Sequence, residues 1–139
     1  MSVSDIFDRV NSGVIHINFV QGGNRVASGS GFMVNGHLVT NNHVFRGPLM
    51  CYVYLRFAAS DPHRLEDAVR MSYTAFSQRL VSGSDENNFD FAVLDLPELR
   101  EQQRHQFRFA SPEKRRIGTP VVFLGYPLEH LNLVCHAGC

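Results

Sequence analysis

Gly29-Ser-Gly-Phe-Met-Val-Asn-Gly-His-Leu-Val-Thr-Asn-Asn-His-Val-Phe45 is the stretch that decides the fold. Asn35-Gly36 is a strong two-residue hairpin signal, because the tight turns that match strand twist need positive φ and these residues tolerate it. A strand over 25–34 therefore runs in, a second strand over 37–40 runs out, and His43 follows its end. Gly29 and Gly31 interrupt the first strand and predict a bulge or sharp bend there.

Upstream, residues 4–11 suit one or two helical turns, capped by Ser4 and ended by Ser12-Gly13. Residues 14–20 alternate, with Ile15, Ile17 and Phe19 on one face, which predicts a half-buried strand. Gly22-Gly23-Asn24 is the turn that returns the chain. Downstream, residues 51–57 alternate again, and residues 68–76 read as a weaker strand. Residues 77–90 read as a polar loop, and 91–96 as a strand stopped by Pro97. Residues 97–119 are charged and bracketed by prolines, which predicts a linker with a single helical turn. Residues 121–124 read as a buried strand ended by Gly125-Tyr126-Pro127, and 131–135 open another.

Closely spaced short strands with glycine-rich turns predict an all-β protein, an antiparallel β-barrel or sandwich. Roughly six strands by residue 96 make one closed unit, and a second unit begins after the linker. The expected division is 1–96, 97–119 and 120–139.

Composition narrows the function. Of 139 residues, 44% are hydrophobic and 19% charged, which is enough apolar mass for one core. Thirteen basic residues balance thirteen acidic ones, so a general binder of nucleic acid or anionic membrane is not expected. Lys114-Arg-Arg116 is read as a solvated loop. No apolar run reaches the length of a membrane span. The N-terminus has neither a basic region nor an apolar one, so no signal peptide is read, and a cytoplasmic location is expected. Three cysteines, Cys51, Cys135 and Cys139, cannot all pair within the chain, and reduced thiols are expected.

Two more segments carry chemistry. Asn88-Phe-Asp-Phe-Ala-Val-Leu94 sets an Asp just before an apolar strand, and Gly118-Thr-Pro-Val-Val-Phe-Leu-Gly-Tyr-Pro127 closes an apolar strand on a turn. With the first segment, and in this order, they resemble the first half of a trypsin-like serine protease of the bacterial high-temperature-requirement (Deg) type. The shared pattern is Gly-Ser-Gly-Phe, then Thr-Asn-Asn-His-Val, then Asp-hydrophobic-Ala-Val-Leu. The resemblance implies the chymotrypsin-like double-barrel fold, here its first barrel and the opening strands of the second.

It also implies that His43 is the general base and Asp90, 47 positions later, its orienting carboxylate. An unperturbed imidazole titrates near ~6.5, so it can take a proton from a hydroxyl and return it to a leaving amine. A carboxylate beside it fixes the tautomer and stabilises the imidazolium. Asp95, the nearest competitor, alternates with apolar strand residues and reads as solvent-facing. Thr40, Asn41 and Asn42 read as supports for the His turn, and Cys51 as a core thiol. The remaining histidines, among them His16 and His105, carry no motif and are expected to be exposed or half-buried.

The departure from the family is the nucleophile. No Gly-x-Ser-Gly occurs in the 139 residues, and family spacing puts it some tens of residues beyond Cys139. The resemblance therefore implies a serine endopeptidase acting on protein or peptide, without metal or organic cofactor. This chain supplies His and Asp and is expected to be inactive alone. Its partner would be a complementary chain or segment carrying the second barrel, because the strands after residue 120 otherwise present open apolar edges. Two other readings stand beside this one. One is a non-catalytic binding module that keeps His43 and Asp90 by descent. The other is a metal site built from His130, Cys135, His136 and Cys139.

Overall fold

The computed structural model describes residues 2–57, 68–100, 104–114, 116–126 and 133–138. Helix α1 spans Val3–Val10, one residue earlier than expected, and Ser2 rather than Ser4 caps it. Ser2 Oγ accepts from the Asp5 amide at 3.2 Å, and Asp5 Oδ2 accepts from the Ser2 amide at 3.1 Å. This reciprocal pair satisfies two orphan donors of the first turn.

Seven strands follow: β1 Val14–Gln21, β2 Asn24–Val34, β3 His37–Thr40, β4 Tyr52–Phe57, β5 Val69–Ser72, β6 Leu80–Ser84 and β7 Phe91–Asp95. They form one curled antiparallel sheet in the order β5-β4-β1-β2-β3-β7-β6, the half-barrel expected of the chymotrypsin-like fold. The β2–β3 turn has Asn35 at φ 53° and Gly36 at φ 82°, both left-handed as the hairpin signal requires. Helix α2, Asn42–Phe45, follows β3 directly and carries His43.

Two expectations fail between residues 68 and 90. Only 69–72 is a strand; Tyr73–Ser77 is a short helix, α3, capped by the Ser72 hydroxyl on the Ala75 amide at 3.1 Å. It turns Phe76 fully into the core against Phe19, Phe45 and Tyr73. Part of the expected polar loop is strand β6, exposed along most of its length. An edge strand pairs through its backbone, so its side chains need not be apolar and it leaves no hydrophobic period to read.

The core holds Ile15, Ile17 and Phe19 of β1, Met33, Leu38, Val53 and Leu55, and Ala92, Leu94 and Leu96 around β7. Full burial of each large side chain stabilises by about 1.5–3 kcal/mol. The bulge falls at Phe19/Val20, and Gly29 and Gly31 sit in regular register opposite Ile17 and Ile15. Their role is close approach: a Cβ on Gly29 would collide with Val44 of α2, and one on Gly31 with Leu38.

Strand β1 was expected to be half-buried, yet its other face is buried too. His16 and Asn18 are covered, with Arg56 of β4 beside His16 in register. The cover includes Tyr126, whose ring stacks on His16 at 4.3 Å. Periodicity reports one apolar face; it cannot report that a later segment will lie on the polar one.

Pro97–Arg100 forms a short helix, α4, and Pro112–Lys114 a 3-10 turn. Between them the chain is laced to the barrel. The Phe107 amide donates to Met33 O at 2.7 Å, the His105 amide to Ser12 Oγ at 2.9 Å, and the Gly36 amide to Gln106 Oε1 at 2.7 Å. Strands β8, Val121–Gly125, and β9, Val134–Gly138, then make a separate two-stranded sheet. β8 is not buried as expected: Val121 and Phe123 are exposed and the rest half-buried. Residues 131–132 of the expected last strand lie outside the described residues. No helix of the described residues is long and apolar enough to cross a membrane.

Candidate active site

β3 ends at Thr40, whose hydroxyl donates to Ser30 O at 2.7 Å and ties the end of the hairpin together. The chain then enters α2 through Asn41 in extended conformation. Asn41 occupies the N-cap position, yet its side chain makes no capping bond. Its Nδ2 donates instead to the carbonyl of Asp90 at 3.1 Å.

Asp90 stands at the entry to β7 with φ 49°, in the left-handed region. That conformation is costly for a residue with a Cβ, least so for Asn and Asp, and needs external support. The Asp90 amide donates to Asp85 O at 2.9 Å, and the 84–89 loop is braced by Phe89 N–H to Ser84 Oγ and Asn88 Nδ2 to Asp85 Oδ1.

The two expected site residues meet. Asp90 Oδ2 lies 2.6 Å from His43 Nδ1, and Asp90 Oδ1 accepts the His43 backbone amide at 3.0 Å. The carboxylate is thus used at both oxygens by one residue. Partial desolvation alone would raise the Asp90 carboxyl. The His43 amide, the His43 ring and its charge, and the Asn42 amide together hold it below its usual value. His43 itself is half-exposed. With Nδ1 turned to the carboxylate, Nε2 is left to face a reacting group.

Two clefts border the imidazole. A polar one of about 350 Å³ is lined by His43, Arg46, Asp85 and Glu86. A mostly apolar one of about 470 Å³ runs past Ser28, Gly29, Val44, Pro48 and Tyr126.

The competing residues do not enter the site. Asp95 is ion-paired with Arg100. Cys51 is buried, its thiol donates to Pro48 O at 2.8 Å, and burial raises its pKa, which suits an inert core thiol. Cys135 is half-buried and unpaired by any disulfide. Of the terminal Cys/His group, His130, Cys139 and the His136 side chain lie outside the described residues. Asn41 supports the His turn, its carbonyl accepting the Val44 and Phe45 amides at 3.2 and 3.0 Å, and its side chain supports Asp90 as well. A polar cap residue two positions before His43 is the available signal, but its partner lies 49 positions away.

Comparison with known proteins agrees with this architecture. A sequence profile described as the trypsin-like peptidase domain matches residues 29–138. No curated protein matches the chain. A similar solved structure is that of Rv3671c from M. tuberculosis H37Rv, a serine-to-alanine mutant in its inactive form. Its TM-score is 0.57 at 21% identity, over 94% of this chain and 53% of that one, so this chain spans about half the length of that neighbour. The profile takes in the glycine-rich strand, His43, Asp90 and both strands of the second sheet, and on that match the chain belongs to the trypsin-like peptidase domain family.

Proposed function

We propose that this chain is the His- and Asp-bearing part of a serine endopeptidase, with His43 as general base and Asp90 as its orienting carboxylate. The observation that supports this best is the two-point contact between them, 2.6 Å to Nδ1 and 3.0 Å to the backbone amide. A carboxylate so held sets the tautomer, leaving Nε2 to accept the proton of a serine hydroxyl as it attacks a peptide carbonyl. The imidazolium then returns that proton to the leaving amine, and water repeats the cycle on the acyl-enzyme.

The serine and the oxyanion donors come from a complementary segment that completes the second barrel. The exposed Val121 and Phe123 of the two-stranded sheet support this, since two strands alone are marginal. Residues 1–96 act as the first barrel, 97–119 as the connection and 120–139 as the start of the second. No metal or organic cofactor takes part in this scheme.

Labelling with a serine-directed fluorophosphonate tests the reading. The chain alone is expected to stay unlabelled, and a longer protein holding Gly-x-Ser-Gly beyond residue 139 is expected to label. His43→Ala in that protein abolishes labelling. A folded, complete protein that never labels would instead make this domain a binding module.

A further inference from the structure

The polar face of the barrel sheet holds an unsatisfied constellation away from the His43–Asp90 pair. His16 is fully buried, and Asn18, Arg56 and Tyr126 are each at most 4% exposed. Among the described residues, five of their side-chain atoms find no hydrogen-bond partner: His16 Nδ1 and Nε2, Asn18 Nδ2, Arg56 Nη2 and the Tyr126 hydroxyl. Three of them are in mutual contact, and Asn18 lies two positions along β1 from His16, on the same face. His16 and Arg56 are register partners, His16 stacks on Tyr126, and the Arg56 guanidinium lies 5.3 Å from the Tyr126 ring centre.

The unmet groups are mainly donors, and the charge among them is positive. Asn18 Nδ2 and Arg56 Nη2 can only donate, and a neutral imidazole brings one N–H. Burial pushes His16 down to about 3, helped by the charges of Arg56 and Arg25, so the ring is neutral. Burial pushes Tyr126 up to about 12, against the pull of Arg56 and Arg104, so its hydroxyl keeps its proton. Among the described residues no carboxylate pairs with Arg56. Water can satisfy a hydrogen bond, but a buried guanidinium also needs an opposite charge.

We propose that this cluster is a carboxylate-binding site, in which Arg56, Asn18 and Tyr126 donate to one carboxylate lying against His16. The guanidinium fork and the carboxylate match in geometry, and the amide and phenol supply further donors. Tyr126 and Ser28, the register partner of Asn18, also line the 470 Å³ cleft beside His43, so that cleft reaches the edge of the cluster. Tyr126 is itself fastened over the site, its amide donating to Ser30 Oγ at 2.7 Å. An acidic side chain of a segment packed on this face, or a small free carboxylate, offers the same chemistry. The site does not depend on the catalytic reading of His43.

The test is thermal unfolding of the chain in sodium acetate against sodium chloride at equal ionic strength and neutral pH. The wild type is expected to melt several degrees higher in acetate. Arg56→Met loses that difference, and Tyr126→Phe, which keeps the ring and removes the hydroxyl, reduces it. No acetate effect in the wild type, or an undiminished one in Arg56→Met, overturns the proposal. If Arg56→Met does not fold, Asn18→Leu and Tyr126→Phe decide by the same comparison. Repeating the measurement on a longer protein with its second barrel separates the sources. Loss of the acetate effect there means that an acidic side chain fills the site, and its persistence means a free carboxylate.

Discussion

Asp90 holds His43 at two points, taking the backbone amide on Oδ1 at 3.0 Å and facing Nδ1 with Oδ2 at 2.6 Å. A single contact would leave the ring free to swing. Two contacts tie the carboxylate to the helix as well as to the imidazole, so the side chain and its support move together.

This pairing makes stability depend on acid. The folded-state pKa of Asp90 is lowered, while the unfolded value is about 3.9. As pH falls, the unfolded chain takes up the proton first. The contribution of Asp90 is therefore present above about pH 4 and is lost as pH falls through the lower folded value. Comparing urea midpoints of the wild type and Asp90→Asn, the gap should be widest near neutrality and shrink below about pH 4. A gap that stays constant into acid would contradict the assignment.

Asn41 acts on the pair through the backbone. Asn41→Ala removes the bond to the Asp90 carbonyl and should cost about 1 kcal/mol. Its more telling effect is on the Nδ1 proton of His43, seen by proton NMR as a far-downfield signal that Asp90→Asn abolishes. Asn41→Ala should broaden or shift that signal without unfolding the chain. An unchanged signal would leave Asn41 with a merely local role.

Gly29→Ala should act at a distance of one layer. The added methyl meets the side chain of Val44, the residue after His43, so α2 must shift or strain. Overpacking of this kind costs about 1–3 kcal/mol. The expected result is a lowered denaturation midpoint together with altered His43 ring resonances, both read on the same sample.

Phe76→Ala probes the element that periodicity missed. The side chain is fully buried among three aromatic rings, so its removal should cost about 3–5 kcal/mol. Urea unfolding with an unchanged m-value would report the loss as one of packing. A cost below 1 kcal/mol would place α3 outside the cooperative core.

The local rules were written where the chemistry is local. Asn35-Gly36 specified the hairpin, alternation in β1 specified the core face of Ile15, Ile17 and Phe19, and the spacing of His43 and Asp90 within their motifs pointed to one site. Each depends on neighbours in the chain or on a two-residue period. What sequence left open depends on remote contact. Strand β6 pairs through its backbone, α3 follows from a capping serine that turns an expected strand, and Asn41 finds a carbonyl 49 positions away.

The same division holds for the polar face of β1. The alternation placed His16 and Asn18 opposite the core, and the chain order alone gave no reason for them to be covered. Only the tertiary structure covered them, laying Tyr126 on His16 and bringing Arg56 alongside it, because burial is a property of what packs on a surface and not of the residues that form it. The sequence by itself determined the β2–β3 hairpin and the core face of β1, and pointed to His43 and Asp90 as a pair. The tertiary structure decided how that pair is held, and which buried charge has no counterpart among the described residues.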